Sequence, residues 1–250
     1  MRRNPDRFLS KSSKSLENYK FIPSNDLDVK PSELSANQLI RKQSFVGRVI
    51  KRLGDIIFSI GLILVGNPIF LLLAVLVKLS SPGPVFYVQE RIGRNYKKFG
   101  CIKFRTMYKD SDVLLAKLLS NSEELREEFE SDFKLRDDPR ITPIGRFLRR
   151  SSLDELPQFL NVLKGEMSVV GPRPIVKAEL DRYGLSMDEV ISVRPGLTGL
   201  WQVSGRNNLS YQKRVKIDLF YARNRSFLLD LEIVLLTLGV LFFPMDRGAY

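Results

Sequence analysis

The stretch IIFSIGLILVGNPIFLLLAVLV, residues 56–77, decides how this chain is organised, because it contains no charged side chain. A helix of about 20 apolar residues is long enough to cross the hydrocarbon core of a bilayer. The simplest prediction is therefore one membrane-spanning helix within residues 46–80.

Two features of this region favour a path that enters and leaves the membrane on one face. Asn67-Pro68 lies mid-stretch, where the proline lacks a backbone donor and clashes with the carbonyl of Leu64, so a bend is predicted. Basic side chains flank the stretch on both sides: Arg48, Lys51 and Arg52 before it, and Lys78, Arg91, Arg94, Lys97 and Lys98 after it. Basic flanks prefer the cytoplasmic side of a membrane. A re-entrant helix-hairpin broken at Asn67 and Pro68 keeps both flanks there, and we prefer it to a kinked span.

The composition limits which side chains are available for catalysis and for metal binding. The formal net charge of +12 indicates an anionic partner, which can be a lipid headgroup, a nucleotide phosphate or a nucleic acid. The chain has no histidine and a single cysteine, Cys101, which excludes histidine general bases, histidine-ligated metals and an internal disulfide. Catalysis must then rest on carboxylates, lysine, arginine or hydroxyl groups. Any metal is expected to be a hard, oxygen-bound ion such as Mg²⁺.

The chain divides into three regions by pattern. Residues 1–45 are polar and contain three prolines, which predicts a disordered tail. Residues 46–80 form the membrane region, and residues 81–250 form the third. In that third region, strands are predicted at 85–88, 101–105, 169–170 and 200–203, and one or two solvated helices over 110–134. Further helices are predicted at 144–150, 151–163, 176–183, 211–224 and 228–243.

The sharpest candidate site is Asp154-Glu155, two adjacent carboxylates that follow a run of arginines. One interpretation is structural, because Ser152 and Glu155 have the spacing of a capping box at a helix start. The other is catalytic, because a carboxylate can attack phosphorus while its neighbour holds Mg²⁺. Both interpretations can hold together, with the capping box fixing the backbone while Asp154 points elsewhere.

Three arginines are candidates for binding substrate phosphates. Arg149 lies five residues before Asp154, and Arg173 lies between two prolines that hold its backbone rigid. Arg206 lies in a glycine-containing loop, a weaker signal because most such loops bind nothing. An exposed structural turn explains Arg173 equally well from its spacing alone, and Trp201 nearby is expected to be a core residue.

An ordered set of motifs from residue 48 to residue 250 resembles the bacterial sugar transferase family, the monotopic phosphoglycosyl transferases. The segments that carry this resemblance are Lys51-Arg-x-x-Asp55, Ser81-Pro-Gly-Pro-Val-Phe-Tyr87, Lys103-Phe-Arg-Thr-Met107, Asp138-Pro-Arg-Ile-Thr142, Ser152-Leu-Asp-Glu-Leu-Pro-Gln158, Gly165-Glu-Met-Ser168, Gly171-Pro-Arg-Pro174 and Pro195-Gly-Leu-Thr-Gly-Leu-Trp-Gln-Val-Ser-Gly-Arg206.

The resemblance implies a mechanism. Asp154 would attack the β-phosphate of a UDP-sugar and expel UMP, and Glu155, with Asp154, would hold Mg²⁺. Undecaprenyl phosphate would then take the sugar phosphate in the second half of a ping-pong cycle. Arg173 matches an arginine that the family uses on substrate phosphate or uridine.

The resemblance also implies the fold class and the location. It implies a helix-rich α/β (α+β) monotopic protein with a re-entrant helix-hairpin at residues 46–80. Residues 81–250 would form a catalytic domain on the cytoplasmic face of the bacterial inner membrane, with amphipathic helices at the lipid surface. Many members break the membrane helix at Ser-Pro, whereas this chain has Asn67-Pro68. The chain resembles the short form of the family, which lacks a multi-span N-terminal region.

Alternatives remain open at this point. The Trp201 motif and the ending Gly248-Ala-Tyr250 look like members that use UDP-galactose or UDP-glucose, and a UDP-N-acetylhexosamine donor is the alternative. A catalytically idle scaffold for polysaccharide assembly is a different class. A nucleic-acid-binding protein is disfavoured by the apolar stretch. Possible partners are membrane lipids, a second copy of the chain or later glycosyltransferases.

Overall fold

The computed structural model describes residues 44–132, 135, 137–205 and 209–242. Residues 1–43 of the predicted tail therefore lie outside the described residues. The candidate Arg206 also lies outside them.

Helices dominate the described residues, which contain ten α-helices and four short strands. The helices are α1 Phe45–Ser80, α2 Ser111–Asn121, α3 Glu123–Asp132, α4 Pro143–Ser151, α5 Phe159–Lys164, α6 Leu180–Tyr183, α7 Met187–Val190, α8 Leu200–Val203, α9 Tyr211–Asn224 and α10 Phe227–Phe242. The strands are β1 Phe86–Ile92, β2 Lys98–Phe104, β3 Ser168–Val170 and β4 Gly196–Thr198. They form two two-stranded sheets, β1-β2 and β3-β4. The structure thus confirms a helix-rich mixed α/β architecture.

The long helix α1 carries the apolar stretch. It continues through Asn67 and Pro68 rather than ending there, so the predicted disruption of helical geometry at Asn67 is not seen. Pro68 still lacks the N–H that would bond the Leu64 carbonyl, a loss that a helix absorbs as a bend. Within the described part of the chain, α1 alone is long and apolar enough to cross a membrane by length and composition. Most of its apolar side chains are exposed, which is consistent with a membrane anchor.

The described residues divide into two compact units. The first unit takes residues 44–58, 90–99 and 162–242, and the second takes 59–89 and 100–161. Helix α1 and the β1-β2 hairpin contribute residues to both.

The first unit is built around the parallel pair β3-β4, in which Ser168 lies opposite Gly196. A Cβ atom on Gly196 would collide with the backbone of Gly171, so glycine is required for this close approach. The predicted strand at 200–203 is wrong, because those residues form helix α8 and the strand lies earlier, at β4. The chain turns at Gly199, whose carbonyl accepts the first helical bond from Gln202 (3.0 Å).

Polar contacts fix the first part of α1 to this unit. Lys51 Nζ donates to Asp230 Oδ2 of α10 at 2.7 Å. The buried Asp55 carboxylate accepts from the Ser168 hydroxyl (2.8 Å) and from the Val169 backbone N–H (3.1 Å). These bonds and the Lys51 ammonium at 3.9 Å compensate the buried Asp55 carboxylate, and the bonds place β3 beside α1.

The second unit packs the end of α1 on β2 and α4. Leu73, Val77, Phe104 and Leu148 form its apolar core. Arg105 closes the end of α1 by donating to the carbonyls of Val77 (3.3 Å), Ser81 (2.6 Å) and Pro82 (2.8 Å). Carbonyls at a helix C-terminus have no partner within the helix, and a guanidinium is well suited to satisfy them.

The amino end of α4 is also closed by side-chain chemistry. Thr142 is its N-cap and accepts from the Gly145 N–H at 3.0 Å. A Cβ atom at Gly145 would collide with the Thr106 carbonyl, so glycine lets the helix lie directly on the chain that leaves β2. Just before α4, buried Asp138 and Arg140 form a bidentate pair with bonds of 2.8 and 2.6 Å.

Candidate active site

The two candidate carboxylates lie on a short 3-10 helix, Leu153–Gln158, that directly follows α4. The predicted helix over 151–163 is thus divided into this 3-10 segment and α5. Ser152 separates α4 from the 3-10 segment and has a left-handed backbone, with φ 58°. The predicted capping box is wrong, because the Ser152 side chain makes no cap hydrogen bond and Glu155 bonds elsewhere. Glu155 instead accepts a hydrogen bond from Lys103.

Asn161 fixes strand β2 beside the helix that carries the carboxylates. Its fully buried side chain donates to the Gly100 carbonyl (2.7 Å) and accepts from the Ile102 N–H (3.0 Å). The Asn161 amide thus makes the two hydrogen bonds that the backbone of a neighbouring strand would make. These bonds fix which residues of β2 lie beside α5. The next residue of the strand, Lys103, is thereby held over the 3-10 segment.

Lys103 is a candidate site residue that the sequence analysis did not single out. Its Nζ donates to Glu155 Oε1 at 2.6 Å and lies 4.0 Å from Asp154 Oδ2. The ammonium group therefore faces both carboxylates, with its side chain 19% exposed. The available signal was a lysine inside an otherwise apolar strand, Cys101-Ile-Lys-Phe104, which is an unusual place for a charge.

Arg149 joins the same site from the last turn of α4. Its Nε donates to Thr106 Oγ1 at 2.9 Å, which orients the guanidinium. Burial lowers the pKa of Arg149, and the charge of Asp154 opposes that shift. The structure thus places Arg149, Asp154 and Glu155 together and adds Lys103 to the group.

Asp154 is the electrostatically unusual member of this group. Burial raises its pKa to about 6; Lys103 and Arg149 lower the pKa, while the like charge of Glu155 raises it. The residue is only 8% exposed. A carboxylate that has lost most of its hydration is a better nucleophile than a solvated one, and carboxylates with perturbed pKa values are concentrated at catalytic sites.

Arg173 belongs to the first unit, where it lies over a buried aromatic ring. Its Cζ is 5.9 Å from the centroid of Trp201, and Arg214 lies over the same ring at 5.0 Å. Trp201 is buried, as expected for a core residue. Deeper in the same unit, burial raises the pKa of Asp218 to about 8, and the Tyr183 hydroxyl donates to Asp218 Oδ2 at 3.1 Å.

The donor set at Asp154 and Glu155 fits only one kind of metal site. Among the residues that the structure describes, no group of three or more acidic, histidine or cysteine side chains is placed to hold a metal ion. Mg²⁺ is commonly bound by one or two carboxylates together with substrate phosphates and water. Two carboxylates beside the Arg149 guanidinium have the chemistry of a site for an ion that takes its other ligands from a phosphate group and water.

Comparison with known proteins identifies the family of this chain. The family model "Bacterial sugar transferase" matches residues 46–244. An "Undecaprenyl-phosphate galactose phosphotransferase" from Salmonella typhimurium is 46% identical over 86% of this chain. An "Exopolysaccharide production protein ExoY" from Sinorhizobium fredii is 45% identical over 82% of it. A "UDP-glucose:undecaprenyl-phosphate glucose-1-phosphate transferase" from Escherichia coli K12 is 39% identical over 83%.

The chain therefore belongs to the bacterial sugar transferase family. It covers 90% of the Sinorhizobium protein. It spans less than half the length of other relatives, covering 44% of the Salmonella protein and 43% of the Escherichia coli protein.

Proposed function

We propose that this protein is a UDP-sugar:undecaprenyl-phosphate sugar-1-phosphate transferase that begins the assembly of a bacterial exopolysaccharide or O-antigen. The observation that carries the proposal is the site itself. Asp154 is a buried carboxylate with a raised pKa, placed beside Glu155, Lys103 and Arg149 in a chain of this family.

The first chemical step is attack by an Asp154 carboxylate oxygen on the β-phosphorus of the UDP-sugar. A bond forms between that oxygen and phosphorus, the bond from phosphorus to the bridging oxygen breaks, and UMP leaves with the bridging oxygen. In the second step a phosphate oxygen of undecaprenyl phosphate attacks the same phosphorus. The acyl phosphate bond breaks, Asp154 is regenerated, and the product is the sugar linked to undecaprenyl diphosphate.

The charges around Asp154 support this use. An anion that attacks a dianionic diphosphate is repelled unless cations neutralise the phosphate oxygens. Lys103 and Arg149 supply two fixed positive charges in a site where little water screens them. Arg173 and Arg206 are further candidates for contacts with the nucleotide. Mg²⁺ held by Glu155 and Asp154, when bound, would neutralise further diphosphate charge.

The donor is proposed to be UDP-galactose or UDP-glucose. The Salmonella and Escherichia coli relatives are named for galactose and glucose transfer, respectively. A UDP-N-acetylhexosamine is the competing donor within the same reaction.

We also propose that α1 enters and leaves the inner membrane on its cytoplasmic face, bending at Asn67-Pro68. The support is the basic flanks on both sides of the apolar stretch and the missing backbone donor at Pro68. To test the path, Cys101 is replaced by serine, and single cysteines are placed at exposed Ser44 and Pro84. Both cysteines should react with an impermeant thiol reagent from the cytoplasmic side, and reaction from opposite sides would refute the hairpin.

The reaction is tested with the detergent-purified protein, Mg²⁺, undecaprenyl phosphate and a panel of UDP-sugars. Release of UMP with one donor establishes the class of reaction and identifies the sugar. The isotope from a β-³²P-labelled donor should also become bound to the wild-type protein in the absence of acceptor, and should not become bound to Asp154→Asn. A folded protein that releases no UMP with any donor would instead support a scaffold role.

A further inference from the structure

The first unit holds a cluster of arginines that the proposed reaction does not use. We propose that this cluster, made of Arg48, Arg52, Arg94, Arg194 and Arg225, binds the phosphate of an anionic phospholipid headgroup. The proposal does not depend on the transferase activity.

Backbone contacts bring two of these arginines to the same spot, the end of helix α5. Arg52 donates to the carbonyls of Val162 (2.6 Å) and Leu163 (2.9 Å). Arg194 Nε donates to the Gly165 carbonyl at 2.8 Å. These bonds orient both guanidinium groups, but the carbonyl acceptors carry no net charge to neutralise them.

The other members lie around this pair. Arg48 precedes Arg52 by four residues on α1, so both lie on one face of the helix. The turn that contains Arg94 is bound to the segment before Arg194, since the Asn95 N–H donates to the Ile191 carbonyl (2.8 Å). Arg225 directly precedes α10, whose Asp230 is paired with Lys51.

The electrostatics of the cluster agree with this placement. Burial lowers the pKa of Arg194, and the like charges of Arg94 and Arg52 lower it further. The pKa of Arg225 is also lowered, mainly by burial, with contributions from Arg48 and Arg94. Asp55 and Asp230 carry an opposing charge at Arg194 and Arg225, respectively, and these two carboxylates also bond Ser168, Val169 and Lys51. An excess of mutually repelling cations is stabilised by an added anion.

The surroundings indicate that the anion carries an apolar chain. The cluster lies where two helices with exposed apolar faces begin, and Lys51 and Asp230 join those helices at 2.7 Å. Leu53 and Ile57 on α1 are 54% and 70% exposed, and Phe227 and Leu228 on α10 are 64% and 74% exposed. A phosphate held by arginines beside apolar side chains matches the border between headgroups and acyl chains in a bilayer.

The test uses the full-length protein in detergent micelles that contain equal amounts of phosphatidylglycerol and phosphatidylcholine. Native mass spectrometry counts the lipids that stay bound. Wild-type protein should retain phosphatidylglycerol in preference. The double variant Arg48→Gln, Arg94→Gln should lower the preference for phosphatidylglycerol roughly tenfold. Each basic residue near an anionic surface strengthens binding about fivefold, and screening by salt makes the combined effect of two residues smaller than the product.

The matched control is Lys109→Gln with Lys117→Gln, which removes the same charge at exposed positions of the second unit and should leave the preference unchanged. If the double arginine variant fails to fold, the single variants should each lower the preference about threefold. An unchanged preference in the folded arginine variants would overturn the proposal.

Displacement of phosphatidylglycerol by millimolar inorganic phosphate would assign the cluster to a free anion, and displacement by equimolar undecaprenyl phosphate would assign it to the acceptor. Either result would also overturn the proposal.

Discussion

Asp154 and Asp138 are both buried aspartates of the second unit, yet their surroundings differ. Asp138 is 4% exposed and accepts two bonds from Arg140, at 2.8 and 2.6 Å, together with the Arg140 backbone N–H (3.0 Å). Asp154 is 8% exposed, and the Lys103 ammonium, which is bonded to Glu155, lies 4.0 Å from its carboxylate.

The difference separates a carboxylate that is paired within the fold from the one that we propose as the nucleophile. A fully paired carboxylate contributes to stability and has no free lone pair for chemistry. A buried carboxylate with incomplete pairing destabilises the fold and is available to attack a substrate. The two residues should therefore respond in opposite ways to the same substitution.

The largest expected effect is the loss of activity in Asp154→Asn. Removing a covalent nucleophile should lower the rate of UMP release by about 10⁴-fold or more. Asp154→Asn should melt at the same temperature as the wild type or higher, because the pKa of Asp154 in the folded wild type, about 6, exceeds the ordinary value for aspartate. The difference between these two pKa values means that the ionised Asp154 carboxylate destabilises the folded wild type by ~3 kcal/mol at neutral pH. Melting followed by Trp201 fluorescence checks stability, and activity above one hundredth of wild type would exclude Asp154 as nucleophile.

Asp138→Asn is expected to affect stability rather than chemistry. It removes one partner of a buried, bidentate pair and leaves the Arg140 guanidinium buried with incomplete compensation. The expected loss in free energy of unfolding is about 3–5 kcal/mol. A denaturation series in detergent measures it. A wild-type melting temperature with a large loss of activity would place Asp138 among the reacting groups and contradict the contrast with Asp154.

Lys103→Met tests whether the ionisation of Asp154 depends on one neighbouring cation. Without the ammonium group, the pKa of Asp154 should rise further, and the rate at pH 7 should fall about 10- to 100-fold. The matched control is Lys98→Met on the same strand, since Lys98 forms an exposed pair with Glu90 at 2.8 Å. Exposed pairs contribute little, so this control should keep the wild-type rate. Equal losses in both variants would argue against a specific role for Lys103.

The smallest expected effect is the pH dependence. Since Asp154 must be ionised to attack, kcat/KM should fall tenfold for each pH unit below about 6 and level off above it. Protonation is favoured by the folded state, so the same drop in pH should reduce the stability advantage of Asp154→Asn over wild type. The chain has no histidine, so no imidazole titrates in this range. A rate that stays constant from pH 7 to pH 5 would contradict this assignment.

Local patterns in the sequence predicted the helices well, because apolar periodicity and cap residues act over a few neighbours. The segments at 211–224 and 144–150 correspond to α9 and α4, with a threonine cap on α4. The same reasoning was wrong at Leu200–Val203, where the apolar residues predicted a strand and the structure has helix α8. This segment follows Gly199, whose backbone lies close to the carbonyl of Gly171. A backbone approach of this kind depends on distant residues that no local pattern contains.

The candidate site was half predictable for a similar reason. Adjacent carboxylates after a run of arginines indicated Asp154, Glu155 and Arg149 directly. The pairing of Glu155 with Lys103 joins residues 52 positions apart and depends on the register set by Asn161. The capping-box spacing pointed to a local bond for Glu155, and the tertiary contact with a full positive charge prevailed.

The bonds from Asn161 to β2 have a consequence for how the enzyme is made. Lys103 leaves the ribosome well before Asp154, and the apolar helix α1 emerges before either. The apolar helix α1 can therefore enter a membrane while Asp154 still lacks its neighbouring cation. Only after Asn161 has emerged and closed on Gly100 and Ile102 are the two charges brought together. The nascent chain is thus expected to reach its membrane before it can react with a nucleotide sugar.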